Sequence, residues 1–342
     1  MKMNNKNLIY ILSIVCIITI ILPFLFTRSA LWESLNFTNT GQIGDTIGGI
    51  TAPVIGLLNA FLLYLTIKEQ YAFNKEQHVF NEKQKKDSFD AQFKDTFFAL
   101  LHNQLNVVTK LQAEFSYIER CVIKKIEKKE YHVFKSCLKE LQVLYKSFEH
   151  SCYEGKFILI NDEINMEKEL SIISPIYELK EYNHTYEKYV TKYTNLHYDI
   201  SEEIYLQYKQ YSQKDKISLL HRIFFYKYEV IGVYFRHLYN ILKYIDFSEE
   251  EAIKKFAHTS EEEQEIKNQY KQYAQFIQAQ MSKEELCLLF YNSFLFEKMQ
   301  KLIIKYNILE NLTIESLITP EHNCIKEMNL KSKIDIFQGV CQ

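Results

Sequence analysis

The chain has 342 residues, 15% of them aromatic, with 25 Tyr and 24 Phe but only 8 Gly and 4 Pro, so long helices are favoured over turn-rich β architecture. A formal net charge of −2 and a pI of about 6.6 exclude broad wrapping of nucleic acid or general adhesion to anionic lipid. Seven cysteines without a CxxC pair read as free thiols of a reducing compartment, not as a disulfide framework.

Residues 8–26 (LIYILSIVCIITIILPFLF) run for 19 residues without a charge. At about 1.5 Å per helical residue, that length crosses a hydrocarbon layer about 30 Å thick. The run is too long for a cleaved signal peptide, and no small-x-small site follows it before Arg28. A second run, residues 47–67 (IGGITAPVIGLLNAFLLYLTI), is uncharged over 21 residues, so residues 1–67 are expected to form a transmembrane hairpin. Lys2 and Lys6 precede the first span, Arg28 stands alone between the spans, and Lys68, Lys75, Lys83, Lys85 and Lys86 follow the second. This distribution of cations predicts that both termini are cytoplasmic.

Gly48, Ala52, Gly56 and Ala60 recur every four residues along the second span, a stripe that lets helix backbones approach closely in lipid. It reads first as packing of span two on span one and second as self-association of several chains. Asp45 sits at the start of the span, where a carboxylate meets orphan N–H groups and the positive end of the helix dipole.

Neither Gly nor Pro occurs between Gly56 and Gly155, so the second span is expected to continue as a stalk helix, with residues 68–150 forming the stalk and a first helical part. Residues 68–88 carry charges of both signs, as a solvated connector would. Phe89, Phe93, Phe97, Leu101, Leu105, Val108 and Leu111 then step by three or four along one apolar helix face, and a further helix is expected over about 128–150.

Residues 151–176, with Gly155, Asn161, Asp162 and Pro175, mark a break, and FILI (157–160) is short enough for a strand or an ordered loop. A C-terminal helical part is expected over 151–342. Tyr182, Tyr186, Tyr189 and Tyr193 keep helical spacing, as do Tyr205, Tyr208 and Tyr211. Without interleaved arginines such ladders read better as half-buried helix faces than as base-stacking platforms. Ser248 to Glu251, Ser260 to Glu263 and Ser282 to Glu285 each fit a capping box and predict three helix starts. The segments 228–245 and 283–306 are apolar enough to be central.

The phosphate-loop, dinucleotide, nucleophile-elbow and HExxH signatures are all missing, and His132, Cys137, His150 and Cys152 fit no zinc spacing. No catalytic residue, cofactor or metal is therefore expected. Tyr234-Phe235-Arg236-His237 stands in an apolar helix, where a buried guanidinium needs a partner, and Glu285, Gln280, Tyr291 and Asn292 are the candidates. A structural Arg–Glu pair and a ligand or active-site cluster are both open readings.

Five segments in order carry a resemblance: residues 40–70, 97–108 (FFALLHNQLNVV), 234–246 (YFRHLYNILKYID), 278–294 (QAQMSKEELCLLFYNSF) and 302–312 (LIIKYNILENL). Together they resemble the phage abortive-infection (AbiC-like) family. The resemblance leaves residues 115–220 uncovered, and Gln278 stands where the family usually has Arg. It implies that Arg236, His237, Gln280, Ser282, Glu285, Tyr291 and Asn292 belong to a characteristic polar core or site. It also implies a membrane-anchored antiphage effector that stops the growth of infected cells.

The expected fold is mainly α, a two-helix transmembrane hairpin leading into an all-α cytoplasmic domain. Expected partners are the lipid bilayer, further copies of the chain, and a trigger of phage or neighbouring-gene origin. A membrane-tethered enzyme acting on nucleotides or nucleic acid, and a sensor that recruits a separate toxic partner, are the alternatives.

Overall fold

The structure, a computed structural model, describes residues 43–119, 122–154 and 194–339, together with Tyr10, Ile14, Ile17, Ile18, Ile21 and Thr191. Apart from Tyr10, Ile14, Ile17, Ile18 and Ile21, the first expected span lies outside the described residues, as do FILI (157–160) and the tyrosine ladder from Tyr182 to Tyr193. The chain divides into two compact units, Met1–Ser88 and Phe89–Gln342. It is mainly helical.

Helix α1 (Ile43–Thr109) runs without interruption, as the absence of Gly and Pro after Gly56 predicts, and Asp45 falls in its first turn. From Thr51 onward it is long and apolar enough to cross a membrane, by length and composition, and none of its apolar window is buried among the described residues. Leu57, Leu63, Tyr64 and Ile67 stand exposed on it, and the Cα positions of Gly48 and Gly56 face open space. Further along, Phe93, Phe97, Leu101 and Val108 are buried, whereas Leu105 is exposed. Phe93 meets Tyr270 and Tyr273 edge-on, each at 4.8 Å between ring centroids.

Beyond α1 the protein is not all-α. Strands β1 (Gln112–Glu119) and β2 (Val122–Lys129) form an antiparallel hairpin, with Phe115 opposite Ile126 and Ala113 opposite Lys128. The alternation of Ala113 and Phe115 with Glu114 and Ser116 has the period of a strand, not a helix. Phe115 is buried and stacks on Tyr228 at 5.0 Å, while Glu114 reaches Lys125 on the outer face at 2.9 Å. The hairpin's base is closed by the Glu130 N–H, which donates to the Leu111 carbonyl at 2.9 Å. Because β2 occupies residues up to Lys129, helix α2 (Tyr131–Glu154) begins later than the expected 128.

The C-terminal half is built from α3 (Glu202–Gln210), α4 (Gln213–Lys227), α5 (Val230–Phe256), α6 (Ser260–Gln278), α7 (Lys283–Ser293) and α8 (Glu297–Tyr306). Three 3-10 turns (Ile314–Ser316, Pro320–His322, Lys326–Met328) and α9 (Lys333–Gly339) complete it. Tyr205 and Tyr208 of α3 are buried, and Tyr211 is exposed.

Helix α7 is the centre of the domain: every residue from Glu285 to Ser293 is buried, and it packs on α2, α4 and α8. Helix α5 is two-faced instead. Ile231, Tyr234, Phe235, Leu238, Ile241, Leu242 and Ile245 are buried at helical spacing, while Val233, Arg236 and Phe247 are exposed.

Of the three expected helix starts, only Ser282 caps as read, with Ser282 and Glu285 bonding each other's backbone N–H groups. Ser248 is a buried residue inside α5 and starts nothing. The cap of α6 is Thr259 rather than Ser260, with Glu262 as its reciprocal partner, because threonine one residue earlier offers the same hydroxyl chemistry.

Candidate functional site

Gly232, Phe235, Arg236 and Tyr239 fall on one stripe of α5, since spacings of three, four and seven return to the same helix face. That stripe forms one wall of a cavity of about 590 Å³, and the remaining lining is Phe225 of α4, Asn292 near the end of α7, Leu295 and Phe296, and Glu297, Lys298 and Met299 of α8. Pockets of this size are typical of small-molecule sites. The local chain path is set at the end of α7, where the Phe294 and Leu295 N–H groups turn back onto the Tyr291 and Asn292 carbonyls. This brings the start of α8 beside α5.

The cavity's electrostatics favour a negative guest. Arg236, expected to be buried against an acid, is exposed, and among the described residues neither it nor Lys298 is held in an ion pair. Being on the outer edge of α5, its guanidinium stays hydrated and needs no partner. The residue capping the start of α8 is Phe296, whose side chain makes no capping bond, so the first N–H groups of the helix are open. The one carboxylate in the lining, Glu297, pairs with Lys301 at 3.0 Å, and that bond holds its carboxyl below the usual range, with Lys214 adding a smaller pull.

Asn292 is 2% exposed, and its Oδ1 has no hydrogen-bond partner. Beside it lies His221, fully buried, whose imidazole burial pushes down to about 3, with the Asn292 amide acting less strongly in the opposite sense. His221 is therefore neutral. Sequence reasoning missed Phe225, Phe296 and Lys298 as lining residues, because nothing in their spacing links them to α5.

The other expected site residues are dispersed. Glu285 is buried 51 residues along the chain from its donor: the Tyr234 hydroxyl donates to its Oε1 at 2.7 Å, and the Ser282 N–H donates to its Oε2 at 2.7 Å. Tyrosine and the helix cap thus take the role expected of Arg236. Gln280 is exposed and borders a small void of about 20 Å³ that Gln104, Tyr131, Tyr234 and Glu285 also line. His237 is half-buried, and desolvation lowers its imidazole.

Tyr291 is fully buried and accepts the Ile318 N–H at 2.8 Å. Its hydroxyl is hydrogen-bonded to Nδ1 of His322 at 2.8 Å, and burial lowers that imidazole to about 4, so the bond joins a phenol and a neutral ring. This pair pins the C-terminal turns to α7. Of the expected cluster, Arg236 and Asn292 meet in the larger cavity, and Gln280 and Glu285 border the small void.

Among the described residues no group of His, Cys, Asp and Glu is arranged to hold a metal ion. No curated protein and no solved structure matches the chain. Residues 226–317, the stretch that supplies nearly all of the described cavity lining, match the family described as "Putative phage abortive infection protein", the same family that the sequence motifs resemble.

Proposed function

We propose that this chain is a membrane-anchored antiphage effector that stops the growth of infected cells by disrupting the inner membrane. The observation that carries the defence role is the family match over residues 226–317. The membrane mechanism is supported by the apolar, uncovered stretch of α1 and by the first uncharged run at residues 8–26, which together would make a two-span hairpin with both termini cytoplasmic. The stripe Gly48, Ala52, Gly56 and Ala60 is exposed along α1, an arrangement suited to close packing against another helix, either the first span or a further copy of the chain.

The test is membrane potential, followed with a voltage-sensitive dye in phage-infected cells carrying the intact chain or the Gly48→Leu/Gly56→Leu form. Depolarisation with the intact chain only supports membrane injury. If growth stops while the potential holds, the spans are a tether.

A second reading, in which the tethered helical domain acts on a nucleotide, gains support from the cavity beside Arg236. It predicts that Arg236→Ala abolishes protection while the protein stays folded and inserted. A sensor that recruits a separate toxic partner would instead lose protection when that partner is deleted.

A further inference from the structure

We infer that the cavity between α5 and α8 is a binding site for a small phosphorylated molecule with a flat aromatic group, of which a nucleoside monophosphate is the simplest case. The cavity of about 590 Å³ is the right size for such a ligand and has two chemically distinct parts.

The first part is cationic. Arg236 and Lys298 line it without ion pairs among the described residues, and the open N–H groups at the start of α8 belong to residues that line it too. A guanidinium, an ammonium and an uncapped helix N-terminus bordering one cavity supply the charge and the donors that a phosphate needs. Glu297 would oppose an anion, but Lys301 already neutralises it.

The second part is aromatic. Phe225, Phe235, Tyr239 and Phe296 surround the remaining space, with Phe225 and Phe296 edge-to-face at 6.0 Å between ring centroids. Such rings accept a flat base by stacking.

An independent sign that a ligand belongs here is Asn292. Only 2% of it is exposed and it lines the cavity, and its Oδ1 makes no hydrogen bond of good geometry, although the amide interacts with the buried His221 ring, whose nitrogens are likewise without such a bond. A buried amide oxygen without a donor is costly, and it favours a ligand that supplies the missing bond over one that does not. A base edge or a ribose hydroxyl has the donors required.

The site deepens the second reading above and is independent of membrane injury, and the test is a binding experiment on the purified full chain in detergent micelles. Calorimetric titration and thermal unfolding are run with AMP, GMP, CMP and UMP, with the parent nucleosides and inorganic phosphate as comparisons. At least one monophosphate is expected to bind and to raise the unfolding temperature, about tenfold or more tighter than its nucleoside. Arg236→Gln and Lys298→Gln, both at exposed positions, are each expected to weaken binding about tenfold while leaving the unliganded unfolding temperature unchanged.

Failure of all four monophosphates to bind overturns the inference. So does equal binding of nucleoside and nucleotide, equal binding of inorganic phosphate and nucleotide, or affinity unchanged in both variants. None of these outcomes bears on the depolarisation experiment, so the two readings fail separately.

Discussion

The Tyr234 hydroxyl donates to Oε1 of Glu285 at 2.7 Å, joining the second turn of α5 to the first turn of α7. Both groups are buried, and the other carboxylate oxygen caps α7 through the Ser282 N–H. One acid therefore fixes a helix start and a helix pair together. Its tyrosine partner is held protonated, since burial and then the adjacent carboxylate raise the phenol well above its usual range. Tyr234→Phe removes the donor and leaves a buried carboxylate oxygen unpaired, which should cost about 1–3 kcal/mol. Chemical denaturation of the two forms measures the difference, and equal midpoints would refute the role given to this bond.

A second link ties α5 to α8. Lys305 reaches Asp246 at 2.6 Å and Glu249 at 3.0 Å, and the Tyr306 hydroxyl donates to Glu249 at 2.9 Å. Burial alone would lower the Lys305 ammonium, but its bonds to the two acids outweigh this and raise it. Lys305→Met strands the buried Glu249 with one neutral donor. A loss of about 2 kcal/mol is expected, between the values for exposed and buried pairs because Lys305 itself is partly solvated. The double variant Lys305→Met/Glu249→Gln should recover part of that loss in the same denaturation assay.

Two buried histidines and a half-buried one make the domain acid-sensitive. Burial lowers His221 to about 3, and lowers His322 and His197 to about 4, from an ordinary value of 6.5. Between those values and 6.5 the unfolded chain takes up protons that the folded chain refuses, so stability falls as pH drops through that window. Glu140 works the other way, because burial raises it from 4.5 to about 7, and the folded state holds a proton that the unfolded state has lost. Three groups against one leave a net loss of stability from pH about 6.5 down to about 4.5. His221→Phe removes one contributor and should reduce the slope there by about 1.4 kcal/mol per pH unit. Denaturation midpoints across this range, compared between the two forms, give the slope directly. An unchanged slope would mean that His221 is protonated in the folded state.

Gly232 sits inside α5, where a helix ordinarily prefers another residue. A Cβ there would come within 2.8 Å of the Phe225 ring tip, so the absence of a side chain leaves room for that ring at the cavity wall. Gly232→Ala gains about 1 kcal/mol of helix propensity and loses most of it in displacing Phe225. Net stability should stay within about 1 kcal/mol of the parent while affinity for any cavity ligand falls. A loss of stability well beyond that range in thermal unfolding would show that Phe225 has nowhere to move.

Much of the helical architecture was legible because it rests on local rules. The run without Gly or Pro after Gly56 predicts one long helix, and α1 is one. The capping box at Ser282 and the apolar face from Phe93 to Val108 are likewise set by spacings of three and four. The β-hairpin was also written locally, in the alternation around Phe115, but a period-2 signal of four or five residues is easily lost between strong helices.

The sequence by itself therefore determined the helical class, the apolar runs suited to a membrane, and the likeness of residues 226–317 to one family. Only the tertiary structure decided which polar groups meet. Arg236 and Tyr234 are two residues apart, about 200° around the helix, so one turns outward to the cavity and the other inward to Glu285. An apolar helix in a sequence does not say which of its faces is covered, because that depends on neighbours brought in from distant parts of the chain. The same holds for Phe225, Asn292 and Lys298, which become one site only when α4, α5, α7 and α8 pack together.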